Sequence, residues 1–250
     1  METKPIIETE DLTKKYNGQV AVENLSFSIN EGEIFGFLGP NGAGKTTTLL
    51  MLLGLTEPSD GKARVLGVDP IRDPIKVKSM IGYLPENMGF YRELNAVQTL
   101  QLIADLNGLS RDTAGERIET ALNTVGLSEE AEKSVGAYSR GMRQRLGIAE
   151  VLVKEPKVAF LDEPTLGLDP DATNRMMKLI ESLCREKNMT VLLSSHLLHQ
   201  AQKICSRVGI MINGRMVAQG HMDQLAEEKL GVGKEQYTLE EIYMKYFREE

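Results

Sequence analysis

The segment Gly39-Pro40-Asn41-Gly42-Ala43-Gly44-Lys45-Thr46 constrains this chain more than any other. It matches G-x-x-x-x-G-K-[ST], and its flanks supply the context that pattern needs. Ile34–Leu38 is a short continuous apolar run, as expected of a strand covered on both faces. Thr46–Leu55 reads as a buried helix stopped by Gly54 and Pro58. A strand, a glycine-rich turn and a helix N-terminus together form an anion cradle. Glycines let several N–H groups turn toward one phosphate, and the helix end adds partial positive charge. Lys45 would then reach the outer phosphates, the Thr46 hydroxyl would bind Mg²⁺, and Thr47 extends the cradle into the helix.

The same region could be mistaken for a membrane span, because only Lys45 interrupts two uncharged stretches, Ile34–Gly44 and Thr46–Thr56. A spanning helix needs about 20 apolar residues, and a central lysine costs roughly 2.5–3.5 kcal/mol on insertion. Pro40, Asn41 and the glycines break the pattern as well, so no direct membrane insertion is expected.

Around this segment the chain alternates in a telling order. Asn17-Gly18 predicts a hairpin joining Leu12–Tyr16 to Val20–Val22, and Leu25, Phe27 and Ile29 alternate with polar residues as in a half-buried strand. From about Gly89 to Glu155 the spacing turns helical, notably over Ala96–Leu106 and Arg117–Val125, with no convincing strand between. Strand and helix then alternate: Val158–Leu161, Ala172–Lys187, Thr190–Leu193, Leu197–Ser206 and Val208–Ile212. That order implies an α/β fold with a mostly parallel sheet, an antiparallel N-terminal part and an inserted helical subdomain. Thr238-Leu239-Glu240-Glu241 is a capping-box pattern opening a last helix, with Leu239, Ile242, Tyr243, Tyr246 and Phe247 on one face. The expected division is residues 1–220 as one domain, with the insert at about 89–155, and residues 221–250 as a helical tail on or near it.

A second motif completes the phosphate chemistry. Val158-Ala159-Phe160-Leu161-Asp162-Glu163 delivers two carboxylates at the C-terminal end of an apolar strand, where open α/β sheets bind ligands. Read alone, such a run could equally cap a helix. Beside the first motif, Asp162 is suited to the Mg²⁺ shell. Because successive strand residues point opposite ways, Glu163 would face a different target, the attacking water, as general base.

Tyr138-Ser139-Arg140-Gly141-Met142-Arg143-Gln144, about 20 residues before Asp162, makes the pattern specific. It resembles the signature sequence of ABC ATPases, usually Leu-Ser-Gly-Gly-Gln, with Arg140 and Met142 departing from it. Ser139 can cap the following helix, leaving N–H groups around Arg140 and Gly141 free for an anion. The resemblance implies a P-loop NTPase of ABC type whose signature closes over ATP held by a partner subunit. By the same resemblance Tyr16 stacks on adenine, Gly167-Leu168-Asp169-Pro170 communicates across the dimer, and His196 contacts the γ-phosphate. Leu84-Pro85-Glu86-Asn87 stands where the family has its glutamine loop, with Glu86 in place of Gln as a candidate ligand to the metal or its water. His199 and His221 match nothing and read as structural.

The resemblance runs from Ile6 to about Gly220 and is close to ATPase subunits of exporter-type ABC systems, including ABC-2 and multidrug types. It implies ATP and Mg²⁺ as cofactors, a second ATPase subunit (the same chain or another), and a separate transmembrane permease that holds the protein on the cytoplasmic face of the membrane. The alternative within the family is a soluble ATPase acting on ribosomes or DNA. Those relatives usually fuse two ATPase domains or insert a long coiled coil, whereas this sequence has one phosphate loop and no heptad run. A nucleotide kinase or GTPase would leave the signature, Glu163 and His196 unexplained. Against 29 Lys and Arg stand 36 Asp and Glu, a net charge of −7, which disfavours broad binding to nucleic acid or anionic lipid. Two cysteines, Cys184 and Cys205, and a polar opening without a secretory signal fit a reducing compartment and two buried structural thiols in helical segments.

Overall fold

A computed structural model describes residues 5–232 and 237–249, so the polar opening at residues 1–4 lies outside the described residues. In chain order it runs β1 (Pro5–Tyr16), β2 (Gln19–Asn30), β3 (Ile34–Leu38), α1 (Lys45–Leu52), β4 (Asp60–Val65), α2 (Pro74–Met80) and β5 (Ile81–Leu84). Three helices follow without an intervening strand: α3 (Ala96–Leu106), α4 (Arg111–Thr124) and α5 (Arg140–Val153). Alternation resumes with β6 (Val158–Asp162), α6 (Pro170–Lys187), β7 (Thr190–Ser195), α7 (Leu198–Ile204) and β8 (Arg207–Ile212). The chain closes with β9 (Arg215–His221), α8 (Met222–Leu230) and α9 (Leu239–Glu249).

Two sheets result. β2-β1-β4 is antiparallel, with the tight turn of its first hairpin at Asn17-Gly18. The larger sheet has the order β5-β6-β7-β3-β8-β9 and is parallel except for the β8–β9 pair at one edge. Its central strands β3, β6 and β7 are buried along their whole length because each face meets a different core. Ile34 and Leu38 of β3, Ala159 and Leu161 of β6, and Val191 and Leu193 of β7 face one core, shared with α3, α4, α5 and α6. Phe35 and Phe37, Val158 and Phe160, and Leu192 face the other, shared with the antiparallel sheet and α1. Phe27 of β2 lies 5.8 Å from Phe35 and 5.5 Å from Phe37, ring centre to ring centre, and so ties the small sheet to the large one. Burying each such ring contributes about 1.5–3 kcal/mol.

The helical stretch is laid closely against the sheet. A Cβ at Gly147 of α5 would sit 2.2 Å from Met88 Sδ and 2.5 Å from Leu84 Cδ1, so the absence of a side chain there sets the helix-to-strand distance. In the tail, α9 packs on α7 and α8. Thr238 and Glu241 form the expected reciprocal cap: the Thr238 N–H donates to Glu241 Oε2 at 2.7 Å and the Glu241 N–H to Thr238 Oγ1 at 3.2 Å. Leu239, Ile242 and Tyr246 are buried, Tyr243 is partly so, and Phe247 is exposed.

Several local expectations are corrected. The helix expected to reach Leu55 stops at Leu52. Gly54 takes a left-handed φ of 62° and its N–H bonds to Met51 O at 3.1 Å, while the Leu55 N–H bonds to Leu50 O at 2.9 Å, closing the helix with both bonds of a Schellman turn. α4 begins six residues before Arg117, capped by Ser110, whose Oγ accepts from the Thr113 N–H. α7 ends at Ile204, which leaves Cys205 extended and buried just beyond it. Cys184 lies within α6 but is only half-buried, its Sγ 3.2 Å from Gly32 O. β4, β5, β9, α2 and α8 are elements beyond those that the sequence pattern predicts. Among the described residues no helix is long and apolar enough to cross a membrane.

Candidate functional site

The strand order brings three C-terminal strand ends together. β6, β7 and β3 are neighbours, with Asp162 opposite Ser194 and Leu38 opposite Ser195, so the segments that follow them share one edge of the sheet. Gly39–Gly44 leaves β3 and folds back, held by the Gly39 N–H to Ser195 O at 3.4 Å and the Ala43 N–H to Pro40 O at 3.2 Å. Gly44 enters α1 at φ 100°, and a Cβ there would meet Ala21 O at 2.5 Å, so both backbone and space require glycine. No acidic residue stands in the first turn of α1, which leaves its N-terminal charge uncompensated.

Lys45 is buried and turned onto its own loop. Its ammonium donates to Gly39 O at 2.7 Å and Pro40 O at 3.2 Å, and lies 3.6 Å from Glu163 Oε1. Burial pulls the ammonium below its ordinary pKa, and Glu163 beside it opposes that pull. The Thr46 hydroxyl donates to Asp162 Oδ2 at 2.9 Å, and the Ser194 hydroxyl donates to Asp162 Oδ1.

Glu163 departs from the alternation expected of it. β6 ends at Asp162, and Glu163 stands in the left-handed region at φ 49°, its N–H 3.2 Å from both Ser194 O and Ser194 Oγ. That turn carries its carboxylate into the same cavity as Asp162 rather than to an opposite face. His196, just past β7, places Nδ1 2.9 Å from Glu163 Oε2. The two are not aligned as a hydrogen bond: both Glu163 carboxylate oxygens and His196 Nδ1 are buried without a hydrogen-bond partner among the described residues. The Lys45 ammonium 3.6 Å from Glu163 Oε1 offsets part of the cost of burying that charge.

The cavity so formed measures about 370 Å³ and is lined by Ala21, Asn41, Gly42, Gly44, Lys45, Thr46, Thr47, Glu86, Asp162 and Glu163. Its lining sets three carboxylates against one ammonium. The oxygen donors of Thr46, Asp162 and Glu86 are of the kind a hard divalent cation takes, and the negative excess favours one. Tyr83 on β5 feels the same field: burial first, then Asp162 and Glu86, push its phenol up to about 12. Ala21, Ser194 and Tyr83 carried no signal in the sequence, because only the folded chain brings them to the site.

A second cavity of about 170 Å³ lies between the start of α5 and the loop before α6, lined by Ser139, Arg140, Gly141 and Met142 on one side and Gly167, Leu168 and Asp169 on the other. Ser139 caps α5 as expected, its Oγ accepting from the Met142 N–H at 3.2 Å. Asp169 caps α6 through the Ala172 N–H at 2.8 Å, and that bond holds its carboxyl below the usual range. Asp169 therefore sits with Ser139 and Gly141 and lines no part of the phosphate cavity. Tyr16, at the end of β1, is 44 % exposed, with Lys14 Nζ 4.9 Å from its ring centre, and it stands outside that cavity. His199 is exposed, and His221 Nδ1 lies 3.1 Å from Ser206 O; neither joins the site.

Comparison with known proteins agrees with this geometry. Residues 22–166 match the sequence profile of the family described as ABC transporter. The chain is 42% identical over 220 residues to the bacitracin transport ATP-binding protein of Bacillus licheniformis, a span of 88% of this chain and 71% of that one. It is 37% identical over 227 residues to the Nod factor export ATP-binding protein I of Ralstonia nicotianae, covering 91% and 70%. The solved structure of cbiO1 from Clostridium perfringens, described as part of the ABC transporter complex cbiONQ, superposes with a TM-score of 0.82 at 31% identity, covering 90% of this chain and 92% of that one.

Proposed function

The chain belongs to the ABC transporter family as an ATP-binding subunit, and from that premise we propose how its residues bind and hydrolyse ATP to drive a separate transmembrane permease. The observation that carries the proposal is the Glu163 carboxylate: buried, without a hydrogen-bond partner, and 3.6 Å from the Lys45 ammonium at the mouth of the phosphate loop.

The loop Gly39–Gly44 and the open N-terminus of α1 receive the phosphates, with Asn41, Ala43 and Thr47 alongside. Lys45 exchanges the carbonyls of Gly39 and Pro40 for phosphate oxygens, a stronger acceptor for an ammonium. Thr46 and Asp162 hold Mg²⁺, with Glu86 as a third ligand to the ion or its water; the ion, when bound, neutralises phosphate charge. Glu163 takes the proton of the attacking water, and His196, 2.9 Å from it, contacts the γ-phosphate. Tyr16, exposed at the end of β1, offers its ring to adenine.

Catalysis needs a second ATPase subunit, either a copy of this chain or a homologue. Ser139 and the N–H groups of Arg140 and Gly141 form an anion site distinct from the phosphate cavity, which suits them to close on ATP bound by the partner. Asp169, beside Ser139 and Gly141, belongs to the surface that registers closure. Residues 1–220 form the ATPase domain, the insert at about 89–155 receives the permease on the cytoplasmic face, and residues 221–250 pack as a tail. Export as the direction rests on the resemblance to exporter subunits and on relatives such as the Nod factor export protein.

Glu163→Gln tests this reading. Turnover should fall by roughly 10²–10⁴, the usual share of a general base, with ATP affinity kept and an ATP-bound dimer accumulating in light-scattering chromatography. Hydrolysis at a near-normal rate would remove Glu163 as the base.

A further inference from the structure

The Glu163 N–H still bonds to Ser194 O and Oγ at 3.2 Å, but past that point no backbone bond among the described residues ties residues 164–169 to residues 196–204. Glu163 and His196 approach within 2.9 Å, but without an aligned hydrogen bond their separation is not fixed by their own contact. One hydrogen bond among the described residues crosses between residues 164–169 and residues 196–204: the Thr165 hydroxyl donates to Gln200 Oε1 at 2.6 Å. Both side chains are buried, 3 % and 7 % exposed.

Thr165 is itself held in a turned segment. The Leu166 N–H bonds to Glu163 O at 3.0 Å and the Leu168 N–H to Thr165 O at 3.2 Å, so Thr165 cannot move without moving Glu163. Gln200 lies one helical turn past His196, with its N–H on Leu197 O at 3.1 Å, so α7 carries Gln200 and the end of the His196 segment together. From this geometry we propose that Thr165 and Gln200 are positioning residues for hydrolysis: their buried hydrogen bond fixes the distance from the Glu163 carboxylate to the His196 imidazole.

The inference rests on Glu163 and His196 acting on bound ATP as proposed above. Its physical basis is that catalytic groups lose rate steeply when misplaced by even 1 Å, while a buried acceptor stripped of its donor drives local rearrangement. Neither residue lines the phosphate cavity, so ATP binding itself should not need the bond.

The test is steady-state ATP hydrolysis by the full-length chain across ATP concentrations, with thermal melting of every variant. Thr165→Val and Gln200→Met should each lower kcat roughly ten-fold with KM changed less than about two-fold. The double variant should be no slower than the worse single one, because one bond is lost in all three. Thr165→Ser, which keeps the hydroxyl, should recover most of the rate. If Thr165→Val does not fold, Gln200→Met and Thr165→Ser carry the same comparison. An unchanged kcat in either disrupting variant, losses that multiply in the double, or a change confined to KM overturns the proposal. Glu163→Gln in the same series separates the two layers. Turnover lost there but kept in Thr165→Val removes only the positioning role, whereas turnover kept in Glu163→Gln removes the reading beneath it.

Discussion

Glu150, in the middle of α5, offers a stability test with a definite sign. It lies between the buried Ala149 and Val151 on the helix packed against β5, and no ion pair among the described residues involves it. Burial alone raises its carboxyl from the ordinary 4.5 to about 7. The fold therefore holds the proton more tightly than the unfolded chain does. The stability that this protonation lends is fully present below about pH 4.5 and is lost as pH rises through about 7. A shift of about 2.5 units corresponds to roughly 3 kcal/mol between those limits. Glu150→Gln replaces the group with a neutral one of the same shape. It should be nearly neutral to stability at pH 4.5 and stabilising by about 3 kcal/mol at pH 8, or roughly 6–12 °C in melting midpoint for a chain of this size. Urea or thermal unfolding of both proteins at half-unit steps from pH 4.5 to 8 measures the gap. Parallel curves across that range would refute the argument, since they would mean that Glu150 ionises in the fold as it does in water. ATP hydrolysis should not change, because Glu150 lines neither cavity of the proposed site.

Two further substitutions probe the two halves of the site. Lys45→Ala removes the cation that reaches both the loop carbonyls and Glu163, and should weaken ATP binding by ten-fold or more, the worth of about one charge-assisted contact; an unchanged affinity in equilibrium titration would count against the phosphate-loop assignment. Ser139→Ala deletes the cap bonded to the Met142 N–H and should cost about 1 kcal/mol, a drop of roughly 2–4 °C in melting. Placed in the Glu163→Gln background, it should also weaken the ATP-dependent dimer while sparing ATP binding to the single chain. A dimer of undiminished affinity would argue that Ser139 only caps.

The phosphate loop, the hairpin at Asn17-Gly18, the tail capping box and the apolar central strands were all legible in the sequence, because each is written in neighbouring residues as turn chemistry or period. So was the identity of Lys45, Thr46, Asp162 and Glu163 as a chemical set. Less legible were the short or half-exposed elements. β4 buries only Ala63 and Val65 yet forms because β1 offers it a pairing edge, and β9 forms because β8 does. Local pattern also misjudged Glu163. Alternation along a strand sent it away from Asp162, whereas a left-handed turn at the strand end brings both carboxylates to one cavity. The grouping of Asp169 with Ser139 and Gly141, the reach of Ala21 over the phosphate loop, the hold of Ser194 on Asp162 and the Thr165–Gln200 bond belong to tertiary structure alone. Each joins residues distant in the chain, and the Ser194 and Gln200 contacts follow from the pairing of β6 with β7. Turn and period are properties of adjacent residues, but the meeting of strand ends is set by which buried faces pair, and only the folded chain decides that.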